Sequence, residues 1–173
     1  NGWHSAISPV PDAVKWVEVD WGAERAVDEI RLIPAHPGDY PDRFGFGFPR
    51  RFRVEADGRT ILDHTGSDFT HPGNTPVVIP TPGLQARTLR VTATRLWERS
   101  ADFVFALAEL QAFQGRENLA RGARVTCLDE TTTAQWHAEH LVDGLTSAGA
   151  LLPEAEWLAA LSERRELTAE LGR

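Results

Sequence analysis

Between Lys15 and Asp20 the chain reads Lys-Trp-Val-Glu-Val-Asp, with Val17 and Val19 alternating against Trp16, Glu18 and Asp20. Alternate side chains of a strand point to opposite faces, so this run buries one side of a sheet. The same period recurs twice: Phe52 and Val54 alternate with Arg51, Arg53 and Glu55, and Leu89, Val91 and Ala93 alternate with Arg90, Thr92 and Thr94. Val27 to Ile33 is a further apolar run that Pro34 ends. Pro76 to Pro80 frames a short Val-Val-Ile strand, and Phe103 to Phe113 reads as one longer strand. Asp57-Gly58 sits between two strand-like segments, where a tight hairpin turn needs φ > 0. Short strands without long helices between them predict an antiparallel sandwich or barrel. The stretch Pro34 to Pro49 (PAHPGDYPDRFGFGFP) is too rich in Pro and Gly for regular structure. It is expected to be a long loop, the kind of segment that carries function in a compact domain.

Length and charge narrow the function. A chain of 173 residues suits one domain plus an appendage, and 42% hydrophobic residues with six Trp suffice for a core. The net charge of −7 argues against a nucleic-acid partner and against an anionic membrane surface. The Arg50-Arg51-Phe52-Arg53 cluster reads as the solvated face of a strand. No run of 18 apolar residues exists, so no membrane insertion is expected. The single Cys127 forms no internal disulfide and falls in an expected strand, Ala123 to Leu128, as a small core residue. The chain begins at Asn1 and contains no Met, so it is expected to be part of a longer protein.

After Gly115 the character changes. A helical turn is expected around Ala134 to Val142. Pro153 then opens a helix with Glu154 and Glu156 in its first turn, Arg164 and Arg165 later, and Gly172 at its end. Trp157, Leu161, Leu167 and Leu171 share one face of it. This segment, 151–173, either packs on the sandwich or begins a helical linker, and its amphipathic pattern favours the linker.

Four segments in order resemble the discoidin (coagulation-factor type C) pattern within the galactose-binding-like superfamily. Trp16-Val-Glu-Val-Asp-Trp-Gly22 resembles W-[IV]-x-V-D-L-G, with Val27-Asp-Glu-Ile30 in the place of V-x-x-I. Phe48-Pro-Arg-Arg-Phe-Arg-Val-Glu55 with Asp57-Gly58 resembles F-x-[IV]-x-x-S-x-D-G. Ala86-Arg-Thr-Leu-Arg-Val-Thr92 resembles A-R-Y-[VI]-R-[LV], and Ala108-Glu-Leu-Gln-Ala-Phe113 resembles the closing x-E-L-x-V-[FY] strand. The resemblance spans Trp3 to about Phe113. It implies an all-β jelly-roll sandwich of two antiparallel sheets, with binding done by loops at one end, as in family 32 carbohydrate-binding modules.

The order of segments departs from the family. Trp3-His-Ser5 stands at the start, whereas Asn118-Leu-Ala-Arg-Gly-Ala-Arg-Val-Thr126 and Leu141-Val-Asp-Gly144, which resemble the family's opening motifs, follow the closing strand. Either an incomplete second repeat begins at Asn118, or 118–145 folds back to supply the opening strand of the same sandwich. A sandwich lacking that strand would have an unpaired edge and an open core, which favours the fold-back, a circularly permuted arrangement. The expected organisation is therefore a sandwich over 1–150 and a helix or linker over 151–173.

The resemblance also implies a structural calcium at the loop end, with Asp143 and Glu109 as carboxylate ligands and Thr146 beside them. Oxygen ligands at turns suit that cation. The plainer alternative is that Asp143 caps a turn and Glu109 pairs with an arginine. For ligand binding, the long loop offers His36, Asp39, Tyr40, Asp42, Arg43, Phe44, Phe46 and Phe48. A second loop, 96–102, offers Trp97, Glu98, Arg99 and Asp102. Aromatic faces stack on the C–H side of a sugar ring, and carboxylates and guanidinium groups hydrogen-bond its hydroxyls. Tyr40, Arg43, Trp97 and Arg99 are the preferred group, with His36 and Asp102 next and with His4 and His71 as lesser candidates. The plainer alternative is that the Phe44, Phe46 and Phe48 rings plug the core and that Arg43 and Arg99 are ion-paired. His137 and His140 lie three apart but lack a third ligand at metal-binding spacing.

No nucleophile elbow, zincin motif, P-loop or dinucleotide fingerprint is present. The expectation is a non-catalytic, carbohydrate-binding accessory module of a larger exported protein, lying outside the cytoplasm as the family usually does. Its partners would be a glycan or polysaccharide and the neighbouring domains of the parent protein. The alternative is a structural or protein-interaction module that binds no sugar.

Overall fold

The computed structural model describes residues 2–147 and the backbone of 149 and 150. The helix expected over 151–173 lies outside the described residues. In chain order the strands are β1 (Trp3–His4), β2 (Lys15–Ile33), β3 (Arg51–Ala56), β4 (Arg59–Asp63), β5 (Val77–Arg95), β6 (Trp97–Glu98) and β7 (Phe103–Val104). They continue with β8 (Ala106–Leu107), β9 (Glu109–Gln114), β10 (Glu117–Asn118), β11 (Arg124–Cys127), β12 (Leu145–Thr146) and β13 (Gly149–Ala150). One 3₁₀ turn, Ala138–Leu141, takes the place of the helical turn expected there. The fold is an all-β sandwich of antiparallel sheets.

Two 19-residue strands, β2 and β5, form its spine. They pair from Lys15↔Ala93 to Leu32↔Val77, with register shifts between Asp20 and Arg25 and between Val27 and Glu29. These irregularities bend the long ribbon. The first half of β2 is flanked by β11 (Val19↔Val125, Cys127↔Val17), and its second half by β9 (Ile30↔Ala112, Leu32↔Leu110). β3 lies on the other side of β5, and β4 closes that edge. Val17, Val19, Leu89, Val91 and Phe52 from one half and Val27, Ile30, Leu32 and Leu110 from the other share one buried cluster, so the bent strands enclose a common interior.

Several expected boundaries are corrected. The separate strands expected on either side of Asp20 are one continuous strand, and so are those on either side of Pro80. Pro80 and Pro82 lie within β5, where the Val27/Glu29 irregularity relaxes the ladder and the Thr81 hydroxyl donates to the Val27 carbonyl at 2.8 Å. Conversely, Phe103 to Phe113 is not one strand. It is divided into β7, β8 and β9, which pair with β6, β1 and β2 respectively. The Asp57-Gly58 hairpin turn has φ of 47° and 74°, and the Asp57 carboxylate accepts from the Arg87 and Thr88 amides. Residues 118–127 fold back onto the sheet, β10 along β9 and β11 along β2.

Candidate functional site

At one end of the sandwich a second, smaller buried cluster forms from Ile33, Ala35, Phe46, Val104, Ala106, Ala108 and Trp136, with Trp97 packed against it. The long loop 34–49 enters this end through an Ala35↔Phe46 bridge that folds Phe46 inward. Gly47 makes the close approach feasible. Its φ is +71°, and a Cβ there would lie 2.5 Å from the Ala106 Cβ, where the Ala106 amide donates to the Gly47 carbonyl. Tyr40 stacks on Phe46 at 5.6 Å, Trp97 meets Phe46 at 5.2 Å, and Trp136 at 5.7 Å. His4 sits edge-on to Trp136 at 4.7 Å. Burial, outweighing its bond to the Ser5 carbonyl, holds the His4 imidazole below its ordinary pKa.

Beside Trp97 a cleft of about 300 Å³ opens to solvent, lined by Phe48, Pro49, Arg50, Phe69, His71, Trp97 and Glu98. Three segments build it. The 48–50 stretch leads into β3, the 69–71 stretch is held by the Phe69 amide donating to the Arg50 carbonyl at 2.7 Å, and β6 presents Trp97 and Glu98 through the short Trp97↔Val104 ladder. Phe69 is fixed by ring contacts with Phe48, Phe52 and His64. The His71 turn is tied to the long loop, because Asn74 accepts from the Gly45 amide and its side-chain nitrogen lies 3.3 Å from the His36 Nδ1.

The residues singled out from sequence separate into groups. Trp97 lines the cleft, and so do Glu98 and His71. Tyr40 and Arg43 are not among the cleft's lining residues; Tyr40 stacks on Phe46, and Arg43 has its guanidinium 5.9 Å from the Trp97 ring centroid. Arg99 and Asp102 satisfy each other through two parallel hydrogen bonds of 2.9 and 2.7 Å. That pairing depresses the Asp102 carboxyl's pKa. His36 bonds the Pro41 carbonyl, packs at a tilt on Phe44 and reaches Asn74 of the neighbouring turn. Phe46 and Phe48 are buried, as the core-plugging alternative expects, but Phe44 is 56% exposed. Sequence reasoning missed Phe69 and the contribution of Arg50. Phe69 lies in Ser-Asp-Phe-Thr-His, which has no periodicity to mark it.

Glu109 and Asp143 meet at the same end. Glu109 is fully buried, and among the described residues no arginine pairs with it. Its Oε1 accepts from the Gly144 and Leu145 amides at 2.9 and 3.2 Å, while its Oε2 has no hydrogen-bond partner among the described residues. Asp143 accepts from the Leu145 amide, as a turn-capping carboxylate would. Burial, aided by the neighbouring Asp143 carboxyl, pushes the Glu109 pKa up to about 9. A buried carboxylate oxygen without a donor, next to a second carboxylate at a turn, fits a hard cation that completes its shell from backbone carbonyls. Among the described residues, no three His, Cys, Asp or Glu side chains group as a metal set. His137 and His140, with ring centroids 6.0 Å apart, remain a pair only.

No protein-family model, curated protein or solved structure matches this chain. Among the described residues, no helix is long and apolar enough to cross a membrane.

Proposed function

We propose that the chain is a non-catalytic carbohydrate-binding module, akin to discoidin and family 32 modules with their jelly-roll order, acting within a larger exported protein. The observation that carries this reading is the cleft in which Trp97 and Phe69 present aromatic surface among Arg50, His71 and Glu98. Aromatic walls accept the apolar face of a sugar ring, and flanking charged groups hydrogen-bond its hydroxyls. The volume lies at the lower end of small-molecule sites, which suits a short glycan segment held weakly. Tethering then raises the effective concentration of a neighbouring domain at its polysaccharide. A structural calcium, held by Glu109 and Asp143 with Thr146 nearby, would supply a fixed positive charge that ties 143–147 to β9 and stiffens the loop end. Titration of a soluble glycan panel by calorimetry tests the reading. Micromolar to millimolar binding is expected, falling at least tenfold in Trp97→Ala with the fold intact. Absence of any binding by the folded protein refutes it.

One observation favours a protein-interaction module instead. The Asp129 carboxylate accepts from the Ala6 amide and pairs with Lys15, and the adjacent residues Ile7, Val14 and Leu128 are 42 to 53% exposed. Under that reading, substituting Ser for these three residues abolishes association with the rest of the parent protein and leaves sugar titrations flat.

A further inference from the structure

We infer that the neutral form of His36 latches the long loop to the turn that carries His71, and that mild acid releases this latch at the rim of the cleft. His71 is one of the cleft's lining residues. The loop and the turn meet at Gly45, whose φ is +65°. A Cβ there would lie 2.5 Å from the Gly73 carbonyl oxygen and 2.6 Å from the His71 Cε1, so only glycine permits this approach. Across the contact the Gly45 amide donates to the Asn74 Oδ1 at 3.2 Å, and the Asn74 Nδ2 lies 3.3 Å from the His36 Nδ1. On its other side the His36 Nε2 lies 2.9 Å from the Pro41 carbonyl oxygen.

Each group in this chain of bonds fixes the role of the next. The Gly45 amide can only donate, so the Asn74 oxygen faces it and the Asn74 nitrogen faces His36. That nitrogen also can only donate, so the His36 Nδ1 carries a lone pair. The ring's single proton then sits on Nε2 and is donated to the Pro41 carbonyl. A second proton on His36 sets N–H against N–H. Asn74 cannot turn its oxygen to His36 without releasing Gly45, so one bond is lost in either orientation. His71 has the same requirement within the turn, where its Nδ1 accepts from the Gly73 amide at 3.3 Å. The charged groups nearby are Arg50 and Glu98, which line the cleft with His71, and Asp39, Asp42 and Arg43 on the loop of His36. Among the described residues none of them forms an ion pair with either imidazole, and the Ser147 hydroxyl that donates to the His36 carbonyl is uncharged. Histidine changes charge between about pH 8 and pH 5, so mild acid suffices.

The test is NMR of the nitrogen-labelled 173-residue chain without ligand, following the imidazole nitrogens and the Gly45 amide across that pH range. At the upper pH the His36 ring is expected to show a bare Nδ1 and a protonated Nε2. As His36 takes up its second proton, the protection of the Gly45 amide against hydrogen exchange should fall about tenfold, the loss of one hydrogen bond. In His36→Gln, which cannot take up a proton in this range, that step should vanish. A proton on the His36 Nδ1 at the upper pH overturns the latch. So does Gly45 protection that stays constant while His36 titrates, or a step that persists in His36→Gln. Because nothing is added to the cleft, these outcomes do not depend on what it binds.

Discussion

In the strand body, Val17, Val19, Leu89, Val91 and Phe52 face a shared interior from strands whose backbone bonds run in continuous ladders. At the loop end, Phe46 is enclosed by Tyr40, Trp97 and Trp136, which arrive from three segments with little regular structure. Both regions exclude water, but by different means. The body is specified by period-two burial, repeated along β3 and along stretches of β2 and β5, and insensitive to any one turn. The loop end is specified by ring contacts, a left-handed glycine at position 47 and isolated bridges such as Ala35↔Phe46. Such an arrangement leaves a cleft beside its aromatic cluster, whereas a fully laddered sheet packs its side chains without one.

The largest expected effect lies in the body. Phe52 is fully buried and touches Phe48, His64 and Phe69, so Phe52→Ala removes ring contacts and leaves a cavity beneath the cleft. A loss of about 3–5 kcal/mol is expected by urea denaturation. The same truncation at Phe46 should cost less, about 2–3 kcal/mol, because part of the loop can collapse into the space. Equal losses at the two sites would erase the distinction between the regions.

The next effect concerns a titratable group that ties them together. Glu109 opens β9, a body strand, and its Oε1 holds the amides of Gly144 and Leu145 at the loop end. An unfolded Glu titrates near ~4.3, and the folded side chain near about 9. The folded state therefore keeps a proton that the unfolded chain releases. This stability is complete below the unfolded value and declines as pH rises towards the folded one. In chelator, a loss of roughly 2–3 kcal/mol is expected between pH 5 and pH 7. The depressed carboxyls Asp20, Asp63, Asp68 and Asp102 act in the opposite sense and below this window, since their contribution is lost only as pH falls. Glu109→Gln should flatten the profile. Calcium held by the two carboxylates should do the same and raise Tm most at alkaline pH. A profile already flat in chelator would show that Glu109 is not protonated in the folded state.

How legible each region was in sequence follows from the same physics. Val17, Val19, Phe52, Val54, Leu89 and Val91 were assigned to the interior from alternation alone, and each is fully buried. The sequence reading missed the continuity of β2 and β5, because Pro80, Pro82 and the irregularity after Asp20 interrupt the pattern without ending the ladder. At the loop end, residue type offered Tyr40, Arg43, Trp97 and Arg99 as one ligand-binding group, but not that only Trp97 of the four lines the cleft while Arg99 is held by Asp102. That depends on Gly47 letting the loop approach Ala106, and on Phe69 being drawn in from a segment far along the chain. Contacts of this kind connect distant segments and leave no local period to read.

The smallest effect is the most discriminating. Tyr40 and Trp97 looked equivalent as sugar-stacking aromatics, and both contact Phe46. Tyr40 is 41% exposed and stands outside the cleft lining, whereas Trp97 is half-buried and forms part of it. Tyr40→Ala should therefore lower stability by only about 0.5–1 kcal/mol, the value of one exposed ring stack. Glycan affinity should stay within about twofold of wild type, a change of under ~0.5 kcal/mol. If Tyr40→Ala instead weakens binding as much as Trp97→Ala, the sugar lies across the long loop and not in the cleft alone. Arg43, whose guanidinium lies over the Trp97 ring, would then be a polar contact of that sugar.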